Sequence, residues 1–263
     1  MTEPEATEIL ELDKVSITYP GGHRAVRNVS FSLRAADRVG LVGESGSGKT
    51  SLARAIMGLV PVSAGAIRIG GRAVESGDAA ARRLRARMVQ MVFQDPYHSL
   101  NPRRTIRQAL FEALAARGPG EPSVNRVSEA VRLLEKVRLE SDALDRFPHE
   151  FSGGQRQRIC IARALAPEPR LLVCDEAVSA LDTTTQLAVV RLLLDLSRAG
   201  GIALLFITHD LPLVEFLCER ALILDRGSLV EDGPVATVFT RPAAPKTKEL
   251  VESVLRLPPA TDD

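Results

Sequence analysis

The segment RVGLVGESGSGKT, residues 38–50, decides the fold. Its first part, residues 38–42, is a short apolar strand pattern that runs straight into a glycine-rich loop, and a helix is predicted at 49–59. The loop, GESGSGKT at 43–50, matches the P-loop pattern GxxxxGK[ST] in the strand–loop–helix context that this pattern requires. The sequence therefore predicts a nucleotide-binding site.

Each residue type in this loop has a physical reason to be there. Glycines let the backbone turn tightly enough for successive N–H groups to face phosphate oxygens. The helix N-terminus adds a partial positive charge, Lys49 adds a full one, and the Thr50 hydroxyl can bind Mg²⁺. The predicted nucleotide-binding residues of the segment are Gly43, Ser45, Gly46, Ser47, Gly48, Lys49, Thr50 and Ser51.

Strand and helix patterns alternate along the rest of the chain, which favours an α/β fold with a largely parallel sheet. Strands are predicted at 8–19, 26–33, 38–42, 66–69, 88–93, 171–174 and 202–208. Helices are predicted at 49–59, 106–116, 124–137, 155–165 and 184–198, and a hairpin at 221–231 turning at Arg226-Gly227. Residues from about 95 to 157 form a predicted helical insertion.

A second motif, LLVCDE at 171–176, is an apolar run that ends in two acids. Ligands of parallel sheets gather beyond the carboxyl ends of the strands, where the P-loop also lies. Asp175 is then placed to hold Mg²⁺, and Glu176 to polarise the attacking water. The alternative is that these acids only cap the following helix.

A third motif, FSGGQ at 151–155, opens a predicted helix. Here the chain resembles the ABC (ATP-binding cassette) ATPases, whose signature is LSGGQ, with Phe151 in place of leucine. The resemblance covers nearly the whole chain. It implies that Tyr19 stacks on adenine, that Gln94 is the Q-loop glutamine and that Asp182 belongs to the D-loop. It also implies that His209 is the switch histidine.

The resemblance implies a P-loop NTPase fold with a RecA-like core, an antiparallel β subdomain and the helical insertion. A single ATPase domain is expected at 1–240 and a short C-terminal tail at 241–263. ATP and Mg²⁺ are the expected cofactors. The implied catalytic residues are Lys49, Glu176 and His209, and the implied metal-binding residues are Thr50, Gln94 and Asp175. The signature residues Ser152, Gly153, Gly154 and Gln155 are expected to contact ATP on a partner subunit.

Two longer segments, FQDPYHSLNPR at 93–103 and FPHEFSGGQRQR at 147–158, resemble the ATPases of oligopeptide, dipeptide and nickel importers. The resemblance implies that the chain powers uptake of peptides or of nickel and other metal chelates. Ala177, where proline is commoner, leans towards the nickel branch. The resemblance implies that many members of this group carry a cysteine cluster for an iron–sulfur centre after the ATPase core. Because no cysteine follows Cys218 here, we expect no such cluster. The group's usual C-terminal pattern HPYT appears as APKT at 244–247.

The same resemblance implies a set of partners. We expect two transmembrane permease subunits, an extracytoplasmic substrate-binding protein, and a second ATP-binding subunit, non-identical or a second copy, in a head-to-tail dimer. The chain would then sit peripherally at the cytoplasmic face of the cell membrane. Two alternatives remain open: the ATPase of an exporter, and a soluble ABC protein that acts on ribosomes or DNA.

Composition narrows these classes. The chain has 263 residues, 45% hydrophobic and 25% charged, with a net charge of +1, which argues against broad attraction to nucleic acid or anionic lipid. The arginines within 81–87 lack interleaved aromatic residues, so we interpret them as a solvated face and expect no nucleic-acid partner. The N-terminus lacks a signal-peptide pattern, and no apolar run reaches the roughly 18 residues of a membrane span. The three cysteines are predicted to be buried thiols.

Overall fold

The computed structural model describes residues 8–75, 77–117 and 125–255, and these residues contain two β-sheets and a set of surrounding helices. The strands are β1 (Glu8–Thr18), β2 (Arg24–Arg34), β3 (Arg38–Val42), β4 (Ala64–Ile69), β5 (Arg72–Ala73), β6 (Val89–Val92), β7 (Leu171–Asp175), β8 (Ala203–Thr208), β9 (Arg220–Asp225) and β10 (Ser228–Pro234). The helices are α1 (Lys49–Ile56), α2 (Ala79–Met88), α3 (Pro96–Ser99), α4 (Ile106–Ala115), α5 (Arg126–Lys136), α6 (Gly153–Leu165), α7 (Thr183–Gly200), α8 (Leu211–Leu217), α9 (Val235–Thr240) and α10 (Pro245–Leu255).

The larger sheet has six strands in the order β10-β9-β3-β8-β7-β6. All neighbours from β9 to β6 pair in parallel, and only β10 is antiparallel, through the predicted turn at Arg226-Gly227. Every residue of β7 and β8 is buried. Strands covered on both faces need continuous apolar sequence, which explains why these two segments lack an alternating pattern.

The smaller sheet is antiparallel, in the order β2-β1-β4-β5. Along β1, Leu10, Leu12, Val15 and Ile17 are buried in the same apolar cluster as α1, and the register shifts between Leu12 and Val15. Period-two burial of this kind is expected when one face of a sheet meets the core and the other meets solvent. The antiparallel sheet is thereby fixed against the helix that carries the P-loop lysine.

The described residues between the end of β6 and the start of β7 contain the helices α3 to α6. Helices α4, α5 and α6 pack through fully buried side chains that include Leu110, Leu134 and Ile159. Thr105 caps α4 and Asn125 caps α5, so each helix begins where a side-chain oxygen satisfies free N–H groups. The predicted fold class, a parallel core with an antiparallel subdomain and helical segments, is confirmed.

The basic stretch at 81–87 corrects one sequence expectation. It lies in α2, which Asp78 caps by accepting hydrogen bonds from two backbone N–H groups. Arg82, Arg83 and Arg87 are exposed, as predicted, but Arg85 is only 7% exposed. Its guanidinium donates a hydrogen bond to the carbonyl of Val74 at 2.8 Å and thereby links α2 to the residue that follows β5. The solvated-face interpretation was therefore wrong for this one arginine.

Residues 241–263, predicted as a tail, include the helix α10, whose Leu250 and Val251 pack on the main core. The end of the predicted tail, residues 256–263, and the N-terminal residues 1–7 lie outside the described residues. Among the described residues, no helix combines the length and the apolar character needed to span a bilayer.

Burial of the cysteines generates a testable prediction. Cys160, Cys174 and Cys218 are buried free thiols, as the sequence predicted. Burial raises the pKa of Cys160 to about 11 and that of Cys174 to about 12, and it also raises the pKa of Cys218. Because the thiolate is the reactive form, we expect no rapid labelling by a thiol-reactive disulfide at pH 8 and labelling of all three after unfolding in guanidinium. Fast labelling of any cysteine in the folded chain would contradict this packing.

Candidate functional site

The P-loop is shaped by close backbone contacts that exclude side chains. Gly48 precedes α1 with φ +108°, and a Cβ atom there would lie 2.3 Å from the Ala25 carbonyl oxygen. A Cβ atom on Gly43 would lie 2.2 Å from the carbonyl oxygen of Leu224. Strands β2 and β9 therefore press on the loop from either side, and only glycine fits at these two positions.

Lys49 is a buried cation held inside this loop. Its side chain is 6% exposed, and Nζ donates to the carbonyl oxygens of Gly43 at 2.6 Å and Glu44 at 2.7 Å. Burial lowers the pKa of Lys49, and the negative charges of Glu176, Asp175 and Glu44 oppose that shift. Neutral carbonyls are weak partners for an ammonium group, so a phosphate oxygen arriving in the loop would be a stronger one.

Ser47 supplies an independent sign that the loop is built for a ligand. Its Oγ is buried and has no hydrogen-bond partner among the described residues. An unpaired buried hydroxyl costs free energy, so such atoms call for an explanation. A phosphate oxygen bound in the loop would provide the missing partner, which fits the predicted nucleotide.

Thr50 and Asp175 meet where α1 begins and β7 ends. The Thr50 hydroxyl donates to Asp175 Oδ1 at 3.4 Å. Burial raises the pKa of Asp175, and the hydrogen bond from Thr50 partly offsets this. Two hard oxygen atoms at this spacing fit Mg²⁺, which takes one or two protein ligands and completes its shell with water and phosphate. No group of three or more His, Cys, Asp or Glu side chains able to hold a metal occurs in the described part of the chain.

Glu176 and His209 form a second contact at the same sheet edge. Glu176 Oε1 lies 3.5 Å from His209 Nδ1. Glu176 adopts φ +48°, an unfavourable conformation for a residue with a side chain, and its N–H donates to the Ile207 carbonyl at 2.9 Å. Backbone strain of this kind concentrates at functional sites.

Neither Glu176 nor His209 caps the helix that follows it. Asp182, and not Glu176, caps α7 by accepting a hydrogen bond from the Thr185 N–H. Asp210, and not His209, caps α8. The alternative that Glu176 only caps the following helix is therefore wrong.

Tyr19 follows β1 and reaches the P-loop helix from the antiparallel sheet. Its hydroxyl donates to Ser51 Oγ at 3.1 Å, and its ring is half-buried beside the apolar cluster that contains α1. The structure thus places the aromatic ring next to a predicted nucleotide-binding residue, although the two are far apart in sequence.

The signature residues open α6. Ser152 caps the helix, with Gln155 donating its N–H to Ser152 Oγ at 3.3 Å and accepting from the Ser152 N–H at 2.9 Å. A Cβ atom on Gly154 would lie 2.3 Å from the Thr185 side chain, and one on Gly153 would contact Leu181. The signature therefore packs on the D-loop segment of its own chain, and no hydrogen bond joins it to the P-loop within the described residues.

Gln94 is exposed after β6, and no hydrogen bond of its side chain with Thr50 or Asp175 occurs in the described structure. The preceding residue is held instead, because Gln157 of α6 donates to the Phe93 carbonyl at 3.4 Å.

Sequence reasoning missed two contacts around the site. Arg156 of α6 stacks on Tyr97, 3.5 Å from the ring centroid, and Lys246 binds the P-loop residue Glu44 at 2.6 Å. No local motif signals either pair.

Comparisons with known proteins agree with this geometry. The family model "ABC transporter" matches residues 26–179. A Brucella ovis protein named for peptide import and ATP binding is 42% identical over 254 residues, covering 97% of this chain and 80% of that protein. The glutathione import ATP-binding protein GsiA of Salmonella paratyphi A is 45% identical over 232 residues, covering 88% of this chain but 37% of that longer relative.

Solved structures show the same likeness. The structure of cbiO1 from Clostridium perfringens, part of the ABC transporter complex cbiONQ, superposes with a TM-score of 0.81 at 25% identity over 96% of each chain. A dimer of the ATP-binding cassette MJ0796 bound to ADP and Pi gives a TM-score of 0.74 at 28% identity, covering 86% of this chain and 98% of that one. The chain belongs to the ABC transporter family, and it is an ATPase with the fold of that family's ATP-binding cassettes. The resemblance seen in the sequence is confirmed.

The position of Glu176 generates a first prediction for this site. Glu176→Gln keeps the shape and hydrogen-bonding reach of the side chain but removes its charge. Loss of a general base lowers a rate by about 10²–10⁴-fold, so we expect a fall of that size in ATP turnover with ATP binding retained. Steady-state phosphate release and calorimetric ATP titration measure the two quantities.

Asp175→Asn is the matched comparison for Glu176→Gln, since it makes the same chemical change one residue earlier. It should weaken Mg²⁺-dependent ATP binding as well as turnover, because Asp175 contacts Thr50. Near-normal hydrolysis by Glu176→Gln would remove Glu176 from catalysis.

A second prediction concerns Tyr19. Tyr19→Ala should weaken ATP binding by about 1–3 kcal/mol, the usual value of a base-stacking contact, with turnover retained at saturating ATP. Tyr19→Phe removes only the hydroxyl that binds Ser51, so it should bind ATP almost as tightly as the parent chain. An equal loss in both variants would assign the effect to the hydrogen bond rather than to the ring.

Proposed function

We propose that the chain is the ATP-hydrolysing subunit of a peptide importer. The main support for this proposal is that one edge of the parallel sheet brings together Lys49, the Thr50–Asp175 pair and the Glu176–His209 pair. This site lies in a chain that is 42% identical, over 97% of its length, to a relative named for peptide import.

The chemistry follows from the contacts. Lys49 would exchange its loop carbonyls for β- and γ-phosphate oxygens, and the backbone N–H groups of residues 45–51 would surround the phosphates. Thr50 and Asp175 would hold Mg²⁺, with Gln94 as a further ligand after the Q-loop moves, and the ion would neutralise charge developing on the phosphates. Glu176 would orient and polarise the water that attacks the γ-phosphorus, as the bond to the ADP oxygen breaks. His209, 3.5 Å from Glu176, would stabilise the γ-phosphate side of the site.

We further propose that two cassettes bind ATP between them, each P-loop facing the signature of the other. Residues 152–155 form a helix N-terminus, the kind of site that attracts phosphate, yet within the described residues they make no hydrogen bond to their own P-loop. Asp182, at the start of α7, would lie at the contact between the subunits. Two solved structures that resemble this chain are dimeric, which supports a dimer of cassettes.

A groove lined by residues of α2 and β6 and by residues of α3, α4 and α6 is the proposed contact with a permease subunit. It has a volume of about 980 Å³ and is lined by exposed aromatic residues on either side of Gln94 and by three alanines on one side of α4 and its C-terminal end. These residues are Phe93, Tyr97, Ala109, Ala113 and Ala116. Small side chains leave room for a short helix of the partner, and exposed aromatic residues are common interface anchors.

The transported substrate is proposed to be a peptide, since the two relatives described carry peptide and glutathione in their names. Import also requires a substrate-binding protein outside the membrane, and it places this subunit peripherally at the cytoplasmic face. The nickel branch suggested by Ala177 stays a prediction. An exporter is less well supported, because both names specify import.

Assembly tests this proposal. The purified chain alone should hydrolyse ATP slowly, and co-expression with the cognate permease subunits should raise its turnover at least about tenfold, because the permease holds two cassettes in register. Uptake of labelled di- and oligopeptides into proteoliposomes identifies the substrate class. Equal ATPase rates for the free chain and the complex would contradict the shared site.

The groove has its own matched control. Ala113→Arg puts a long charged side chain into the groove and should abolish co-purification of the permease with little change in ATP affinity. Ala115→Arg places the same side chain on the exposed face of α4, outside the groove, and should leave assembly intact. Loss of assembly in both variants, or in neither, would reject the groove as the contact.

A further inference from the structure

The C-terminal helix α10 makes a direct ionic contact with the P-loop. Lys246 Nζ lies 2.6 Å from Glu44 Oε1 and 2.9 Å from Glu249 Oε2. The lysine side chain is only 15% exposed, whereas that of Glu44 is 58% exposed. The two glutamates raise the pKa of Lys246, which therefore stays charged at neutral pH.

The start of α10 is held firmly enough for Lys246 to act as a fixed charge. The backbone N–H groups of Ala243 and Ala244 donate to the two carboxylate oxygens of Glu231 at 2.9 and 3.0 Å. The next residue after Lys246, Thr247, is almost completely buried. Lys246 is thus anchored to β10 and the core, and it reaches the P-loop from outside that loop.

Glu44 is the acidic residue inside the phosphate-binding loop. Its carbonyl oxygen accepts hydrogen bonds from Lys49 Nζ at 2.7 Å and from the Ser47 N–H at 3.2 Å, so the residue is central to the shape of the loop. Burial lowers the pKa of Lys49, and the Glu44 carboxylate is close enough to that amine to oppose the shift. A free negative charge at this point repels a triphosphate that binds the same loop.

The Glu44 side chain borders an open cavity rather than packed side chains. A cavity of about 520 Å³ separates the P-loop from α10, and Asp225, Arg226 and Glu249 line it together with Glu44 and Lys246. Packing alone does not fix the carboxylate here. The ion pair with Lys246 is its only hydrogen-bonded contact to a side chain within the described residues.

We propose that Lys246 is a positioning residue of the nucleotide site, which neutralises Glu44 and holds its carboxylate on the outer side of the P-loop. The inference rests on the proposed role of the P-loop in binding ATP. It assigns to the C-terminal helix a part in setting the affinity for the polyanionic nucleotide.

Nucleotide binding to the 263-residue chain tests the proposal. Lys246→Ala should weaken MgATP binding about three- to tenfold at low ionic strength, and MgADP binding less, because ADP carries less charge. The difference should shrink in 0.5 M salt, which screens exposed charges. Lys246→Arg should bind ATP within about twofold of the parent chain, since it keeps the positive charge.

A double substitution isolates the pair. Glu44→Gln combined with Lys246→Ala should restore ATP affinity to within about twofold of Glu44→Gln alone, because no carboxylate then needs neutralising. Lys248→Ala removes an equal charge from the exposed side of the same helix and should leave affinity unchanged. Thermal unfolding of each variant reports any loss of fold.

Three results would overturn the role of Lys246. The first is unchanged ATP affinity in Lys246→Ala, which is expected if Arg226 takes the place of Lys246. The second is that Glu44→Gln does not restore the affinity of Lys246→Ala. The third is an equal, salt-independent loss of ATP and ADP affinity together with a lower melting temperature. Lys49→Ala separates this failure from that of the P-loop itself. If Lys49→Ala binds ATP normally, the proposed nucleotide site is wrong; if it loses binding while Lys246→Ala does not, only the positioning role is wrong.

Discussion

The register of three parallel strands positions the whole site. Val42 of β3 pairs with Thr208 of β8, and Ile207 of β8 pairs with Asp175 of β7. The residues that follow these strand ends, the P-loop, Glu176 and His209, therefore emerge at one edge of the sheet. Shifting a strand by one residue would turn its side chains to the opposite face and separate the acid from the loop. The continuous apolar sequence of β7 and β8, buried on both faces, stabilises that register.

Much of this core could be predicted from the sequence because its signals are local. Strand β3 and the start of α1 were predicted at the observed residues, because an apolar run is followed by the P-loop pattern, which occurs between a strand and a helix. Helices α4 and α7 were predicted to within two residues, and each begins after a residue, Thr105 or Asp182, whose side chain caps it. The turn at Arg226-Gly227 followed from the same kind of local signal.

What the sequence did not predict depends on contacts between distant segments. Helix α2 was interpreted as a solvated basic stretch, and its buried Arg85 is explained only by the Val74 carbonyl that the fold brings to it. Helix α10 has weak local signals but packs on the core through Leu250 and Val251. The need for glycine at Gly43 likewise comes from the Leu224 carbonyl, which lies far along the chain on β9. Burial and long-range pairing decide these features, and neither is visible in a single window of sequence.

The charge balance of the site explains why distant elements are involved at all. A loop that binds a polyanion lies among the carboxylates of Glu44, Asp175 and Glu176, with Lys49 as the buried cation between them. Under the proposed function, Asp175 would hold a metal ion and Glu176 would activate water, so Mg²⁺ arriving with the nucleotide would offset their charge. Glu44 has no such role and faces solvent. Its charge is offset by Lys246, which lies 202 positions later in the sequence. Electrostatics at the edge of the sheet thus ties the last helix of the described chain to the first loop of the site.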